Sequence, residues 1–153
     1  MEEVESQLIL KDDVIYYKSG RGNEWKLSLS EIKVIGELTT NEGPFIDDWF
    51  VVFVIDENNW KTSTMYLKDN IAETFFKELS SKLNYNIIPS LFHSTEFKSI
   101  VAYPEKIKGK ELIELKEVEP QGWWDKLKAK LNLGKAVQLT LTKDVKDFLT
   151  SGL

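Results

Sequence analysis

The feature that most constrains the fold is an apolar run, Trp49, Phe50, Val51, Val52, Phe53, Val54 and Ile55, which has no polar break. β-Branched and aromatic residues dominate it, and this favours a strand buried on both faces over a short helix. Asp56, Glu57, Asn58 and Asn59 follow as turn formers. Residues 60–67 then alternate, with Trp60, Thr62, Thr64 and Tyr66 on one face and Lys61, Ser63, Met65 and Leu67 on the other, the pattern of a hairpin partner. A helix is predicted next. Asn70 and Glu73 form a capping-box-like pair at its start, and Ile71, Ala72, Phe75, Phe76, Leu79 and Leu83 make one apolar stripe at helical spacing. A strand pair therefore hands over to an amphipathic helix that must cover apolar surface.

The chain ahead of this unit reads as more strands. Gln7, Leu8, Ile9 and Leu10 form a first strand, Lys11, Asp12 and Asp13 a turn, and 14–18 a second strand. The loop 19–23 holds two glycines, which accept the backbone angles of tight turns. Trp25, Leu27 and Leu29 alternate with Lys26, Ser28 and Ser30, the period of a half-buried strand. Ser30 and Glu31 allow a bend before a strand at 32–38, and 39–44 is a polar loop marked by Gly43-Pro44. That makes about six strands before the helix.

Three segments carry a resemblance: Trp25-Lys-Leu-Ser-Leu-Ser-Glu-Ile32 leading into Lys33-Val-Ile-Gly36, the apolar run, and the 60–67 strand with its capped helix. Together they resemble a pleckstrin-homology-like (PH-like) domain, most closely the bacterial PH-like and GRAM-like versions, over residues 4–85. The resemblance implies a bent antiparallel sheet of about seven strands, forming a partly open barrel with one end plugged by the helix. It also implies a binding module rather than an enzyme.

Beyond the helix the sequence is still patterned. Phe97, Ser99, Val101 and Tyr103 alternate with Lys98, Ile100 and Ala102 as a strand closed by Pro104, and 112–118 is another candidate strand. Gly122-Trp-Trp-Asp-Lys-Leu-Lys-Ala-Lys-Leu-Asn132 reads as a helix with Gly134 as a C-cap. Val137, Leu139 and Leu141 mark a last strand, and Thr142 can cap a final helix carrying Val145, Phe148 and Leu149. The expected fold class is α+β: a PH-like unit over 1–86 and an αβ extension over 87–153 that packs on it, or the two as one continuous domain, so that both faces of 49–55 find cover.

Charge and composition narrow the function. The formal net charge is −5 and the pI about 5.0, which argues against general nucleic-acid binding, since that depends on neutralising phosphates. The charge is uneven: residues 1–88 hold 16 acidic and 9 basic side chains, and 89–153 hold 9 and 11. With no cysteine there is no thiolate nucleophile, thiolate metal site or disulfide. The acidic start Met-Glu-Glu-Val-Glu lacks the basic, then apolar, pattern of a secretory signal, and no apolar run approaches a spanning helix. A cytoplasmic location is the expectation.

Catalytic and metal chemistry find few residues. The single imidazole, His93, has Glu96 near it in sequence but no evident orienting partner or nucleophile. The carboxylate pairs Asp12-Asp13, Asp47-Asp48 and Asp56-Glu57 sit at turns or strand ends, where Asp is favoured for backbone hydrogen bonding, and no third ligand stands at metal spacing. No catalytic, cofactor or metal residues are therefore assigned. By analogy with inositol-phosphate-binding PH domains, Lys18, Arg21 and Lys26 around the glycine loop are candidate anion contacts, although Glu24 interrupts their potential and solvated loop charge is the simpler reading. Trp123 and Trp124, with Lys126, Lys128 and Lys130 beside their apolar arc, fit two uses. The helix can pack on the domain, or it can dock a partner or an anionic membrane with lysines snorkelling to headgroups.

The function expected on these grounds is a non-catalytic interaction module that docks a protein partner or self-associates, with no cofactor. Peripheral membrane association through the Trp/Lys helix is a second expectation. A third is a small-ligand carrier or enzyme with a pocket between sheet and extension.

Overall fold

The computed structural model describes residues 5–40, 49–91, 97–117 and 137–151. Strand β1 (Gln7–Lys11) pairs with β2 (Val14–Lys18) through the two-residue turn Asp12-Asp13. Both turn residues take positive φ, 52° and 63°. That conformation gives a hairpin turn whose twist matches its strands, and Asp tolerates it better than most side chains. β2 pairs in turn with β3 (Glu24–Ser28), which completes a three-stranded antiparallel sheet in the order β1-β2-β3. A short 3-10 turn at Leu29–Glu31 occupies the expected bend and delivers the chain to β4 (Val34–Thr39).

The second sheet has the order β6-β5-β4-β7 and is also antiparallel. Its strands are β5 (Trp49–Asp56), β6 (Asn59–Thr64) and β7 (Lys98–Tyr103), with helix α1 (Ile71–Leu83) between β6 and β7 in sequence. In the β5–β6 turn the Asp56 side chain accepts the Asn58 N–H at 2.9 Å. Asn70 stands at the N-cap of α1, but its side chain makes no capping hydrogen bond, so the predicted capping box does not form. The helix ends on Asn84 in the left-handed conformation (φ 51°), whose N–H returns to the carbonyls of Ser80 and Ser81, a role asparagine shares with glycine.

The period-two pattern of β5 divides its side chains between two cores. Trp49, Val51 and Phe53 join Leu8, Ile15, Leu27, Ile35, Phe75, Phe76 and Leu79 between the two sheets and α1. Val52 and Val54 join Val34, Leu38, Val101, Leu112, Ile113, Leu141 and Val145 on the opposite face. The second core is completed by an antiparallel ribbon of β8 (Ile113–Glu117) and β9 (Val137–Leu141) and by helix α2 (Lys143–Ser151). Val51 to Val54 are each at most 1% exposed, so the strand is covered above and below, and each such side chain contributes about 1.5–3 kcal/mol of burial.

Specific contacts set the sheets against each other. Rings run in sequence from Tyr17 to Trp25 (5.3 Å between centroids), Phe53 (5.7 Å), Phe75 (6.1 Å) and Phe76 (5.2 Å), crossing from the first sheet through the second to α1. Trp25 Nε1 also donates to the Thr62 carbonyl at 3.0 Å, which links β3 to β6. Among the described residues the sheets are joined by such contacts and not by strand pairing, so no closed barrel forms. The Thr142 hydroxyl, expected to cap α2, donates to the Glu111 carbonyl at 2.7 Å.

Candidate docking surface

The outer face of the first sheet follows from strand alternation. Leu8, Leu10, Ile15, Tyr17 and Leu27 point into the core, so Gln7, Ile9, Tyr16, Lys18, Glu24 and Lys26 point outward. The register sets Ile9 opposite Tyr16 opposite Lys26, and Gln7 opposite Lys18 opposite Glu24. Ile9 is 51% exposed and Tyr16 45%. They form an apolar pair at the middle of a sheet face with polar and charged neighbours around it. A shallow cleft of about 440 Å³ lies here, lined by these residues with Tyr17 and Trp25.

The structure therefore brings Lys18 and Lys26 to one face, on neighbouring strands, and Arg21 to the loop that joins those strands. That loop is tightly built. The Ser19 N–H donates to the Asn23 carbonyl at 2.6 Å, the Ser19 hydroxyl accepts the N–H groups of Arg21 and Asn23 at 3.1 Å each, and Gly22 takes φ 95°. Glu24 stands directly across from Lys18, so the interruption read from the sequence is also spatial.

The other sequence candidates fall elsewhere. Trp123, Trp124, Lys126, Lys128 and Lys130 lie outside the described residues, as do His93, Asp47 and Asp48. Asp12 and Asp13 are turn residues, Asp56 ends β5 and Glu57 lies in the turn after it, and Asp13 meets Lys82 of α1 at 3.1 Å with both side chains more than half exposed. Among the described residues no group of three or more His, Cys, Asp or Glu side chains could hold a metal ion. No helix among them is long and apolar enough to cross a membrane. The interface between second sheet and extension is filled by side chains, with Leu112, Ile113, Leu141 and Val145 at 0% exposure.

Sequence reasoning missed one organising residue. Glu37, in the middle of β4, is 3% exposed. Its carboxylate accepts Trp49 Nε1 at 3.0 Å, the N–H and hydroxyl of Ser90 at 2.8 and 3.2 Å, and the Leu91 N–H at 3.1 Å. It thereby ties the segment leaving α1 to the second sheet. The signal that could have found it is a lone carboxylate inside an otherwise apolar strand, since a buried charge demands partners. Those partners are all donors and the carboxylate is itself buried, so its chemistry is structural.

Comparisons of the chain with models of protein families, with curated proteins and with solved structures find no match.

Proposed function

We propose that this protein is a non-catalytic interaction module of PH-like type, which docks a protein partner or a second copy of itself through the outer face of its first sheet. The observation that carries the reading is the Ile9–Tyr16 pair: two large apolar side chains, half exposed and facing each other across β1 and β2. Interfaces favour an apolar, aromatic centre with a polar rim, and Gln7, Lys18, Glu24 and Lys26 provide such a rim. The PH-like part of the reading is supported by seven antiparallel strands in two facing sheets, with an amphipathic helix whose stripe enters the core between them. The order departs from the family's, because α1 precedes the seventh strand and a further ribbon and helix follow it.

The test compares tagged wild type with Ile9→Glu. A protein retained by the wild type and lost by the variant, or a concentration-dependent dimer in light scattering that the variant lacks, is the expected result. An unchanged set of retained proteins together with an unchanged mass would remove the docking face.

A second reading, peripheral association with an anionic membrane, is favoured by Leu115 and Leu139. These face each other across the β8–β9 ribbon and are 53% and 37% exposed, and the chain between the two strands carries Trp123, Trp124, Lys126, Lys128 and Lys130. Flotation with anionic but not neutral vesicles, abolished by Trp123→Glu, is what this reading expects. Absence of flotation at low salt would end it.

A further inference from the structure

We infer that the cleft at Ile9 and Tyr16 receives an acidic segment of a partner protein, one that sets an apolar side chain between carboxylates. The inference rests on the docking reading above and adds the chemistry of the partner. Two cations, Lys18 and Lys26, line the cleft, and a third, Arg21, lies in the loop that joins their strands. Against them stands one anion, Glu24. The lining of the cleft thus carries +1, two lysines less one carboxylate, on a chain whose formal net charge is −5.

Among the described residues these cations have no ion-pair partner. Lys68 and Lys82 meet Glu5 and Asp13 at 3.4 and 3.1 Å, whereas among the described residues Lys18, Arg21 and Lys26 meet no carboxylate within the 4.0 Å of an ion pair. The loop backbone around Arg21 is already held, by the Ser19 bonds and by the Gly20 N–H donating to the Ser6 hydroxyl at 3.0 Å, so little further ordering is needed there on binding. Lys26 lies directly opposite Tyr16 in the register, and Lys18 is two positions along β2 on the same face. A partner's apolar side chain seated on Ile9 and Tyr16 therefore brings its flanking residues over the two lysines. Carboxylates at those places are attracted, and basic residues are repelled, which favours an acidic segment by charge complementarity. A flat lipid surface fits less well, since the apolar pair sits in a concavity with Glu24 on its wall.

The test is an NMR titration of the full chain with three short peptides that alternate Leu and Phe with Glu, with Gln or with Lys, and separately with phosphatidylserine vesicles. The expected result is binding of the Glu peptide with shifts centred on the amides of Ile9, Tyr16, Lys18 and Lys26. That binding should weaken about tenfold in Lys18→Glu/Lys26→Glu and fall with added salt. Both lysines are exposed, so the variant should keep its fold, and its unperturbed core resonances would verify this. Equal binding of the Glu and Gln peptides at these amides overturns the acidic partner and leaves the docking face standing. Shifts caused by vesicles and by none of the peptides overturn it in favour of an anionic lipid surface. No shift at this face from any probe also overturns it, and the docking reading is then judged separately by the Ile9→Glu comparison.

Discussion

The indole Nε1 of Trp49 donates to the carboxylate of Glu37 at 3.0 Å, between residues on neighbouring strands that both lie out of solvent. The same carboxylate holds Ser90 and Leu91, so one side chain joins the start of β5, the middle of β4 and the segment that leaves α1.

Glu37→Gln should destabilise the protein by about 2–3 kcal/mol, because the new NH₂ group faces donors and at least one buried N–H loses its acceptor. Urea unfolding measures this, and protection of the Ser90 and Leu91 amides from hydrogen exchange should fall with it. A loss under about 0.5 kcal/mol, the range of ordinary surface substitutions, would mean the cluster is not a clamp.

Gly36→Ala should cost about 1–3 kcal/mol, the usual range for overpacking. A Cβ there would lie 2.5 Å from the Ile100 carbonyl oxygen and 2.6 Å from Leu112 Cδ2. The first of these is backbone and cannot rotate away, so β7 must shift from β4. Thermal unfolding of the variant checks the prediction, and wild-type stability would show that the two strands are less closely apposed.

Ser99→Ala should cost about 1–3 kcal/mol although it removes a single atom. The buried Ser99 hydroxyl accepts the N–H groups of Leu112 and Ile113 at 3.2 and 2.8 Å and donates to the Ile113 carbonyl at 2.9 Å, and the substitution leaves these backbone groups without partners. Hydrogen exchange should then report earlier opening of β8 than of β1, since Ser99 fastens the ribbon to β7 and not to the first sheet.

The double change Asp12→Asn/Asp13→Gly should leave the protein as stable as before or more stable by up to about 1 kcal/mol. It relieves the positive φ at Asp13 at the cost of the exposed pair with Lys82, which is worth little. Loss of peptide binding to the cleft in this variant, with stability unchanged, would show that the carboxylate pair has a role beyond its turn.

Local patterns in the chain set the local elements. Periods of two and 3.6 placed the strands and both described helices within a few residues. Asp12-Asp13 and Asp56 were readable as turns because turn chemistry acts between neighbours in the chain. The two-sided burial of 51–54 was legible for the same reason, since a run without a polar position leaves no face for water. Contacts between distant parts of the chain were decided only by the tertiary structure. Glu37 meets residues 53 and 54 positions away in Ser90 and Leu91, and Trp25 reaches Thr62 across 37. No local period records such pairings. Lys18, Arg21 and Lys26 were visible as charges around the glycine loop, but the apolar pair beside them arises only when β1 is laid beside β2. At that point Ile9, one more apolar residue in an apolar strand, is turned outward by the strand's alternation while Leu8 and Leu10 are turned in.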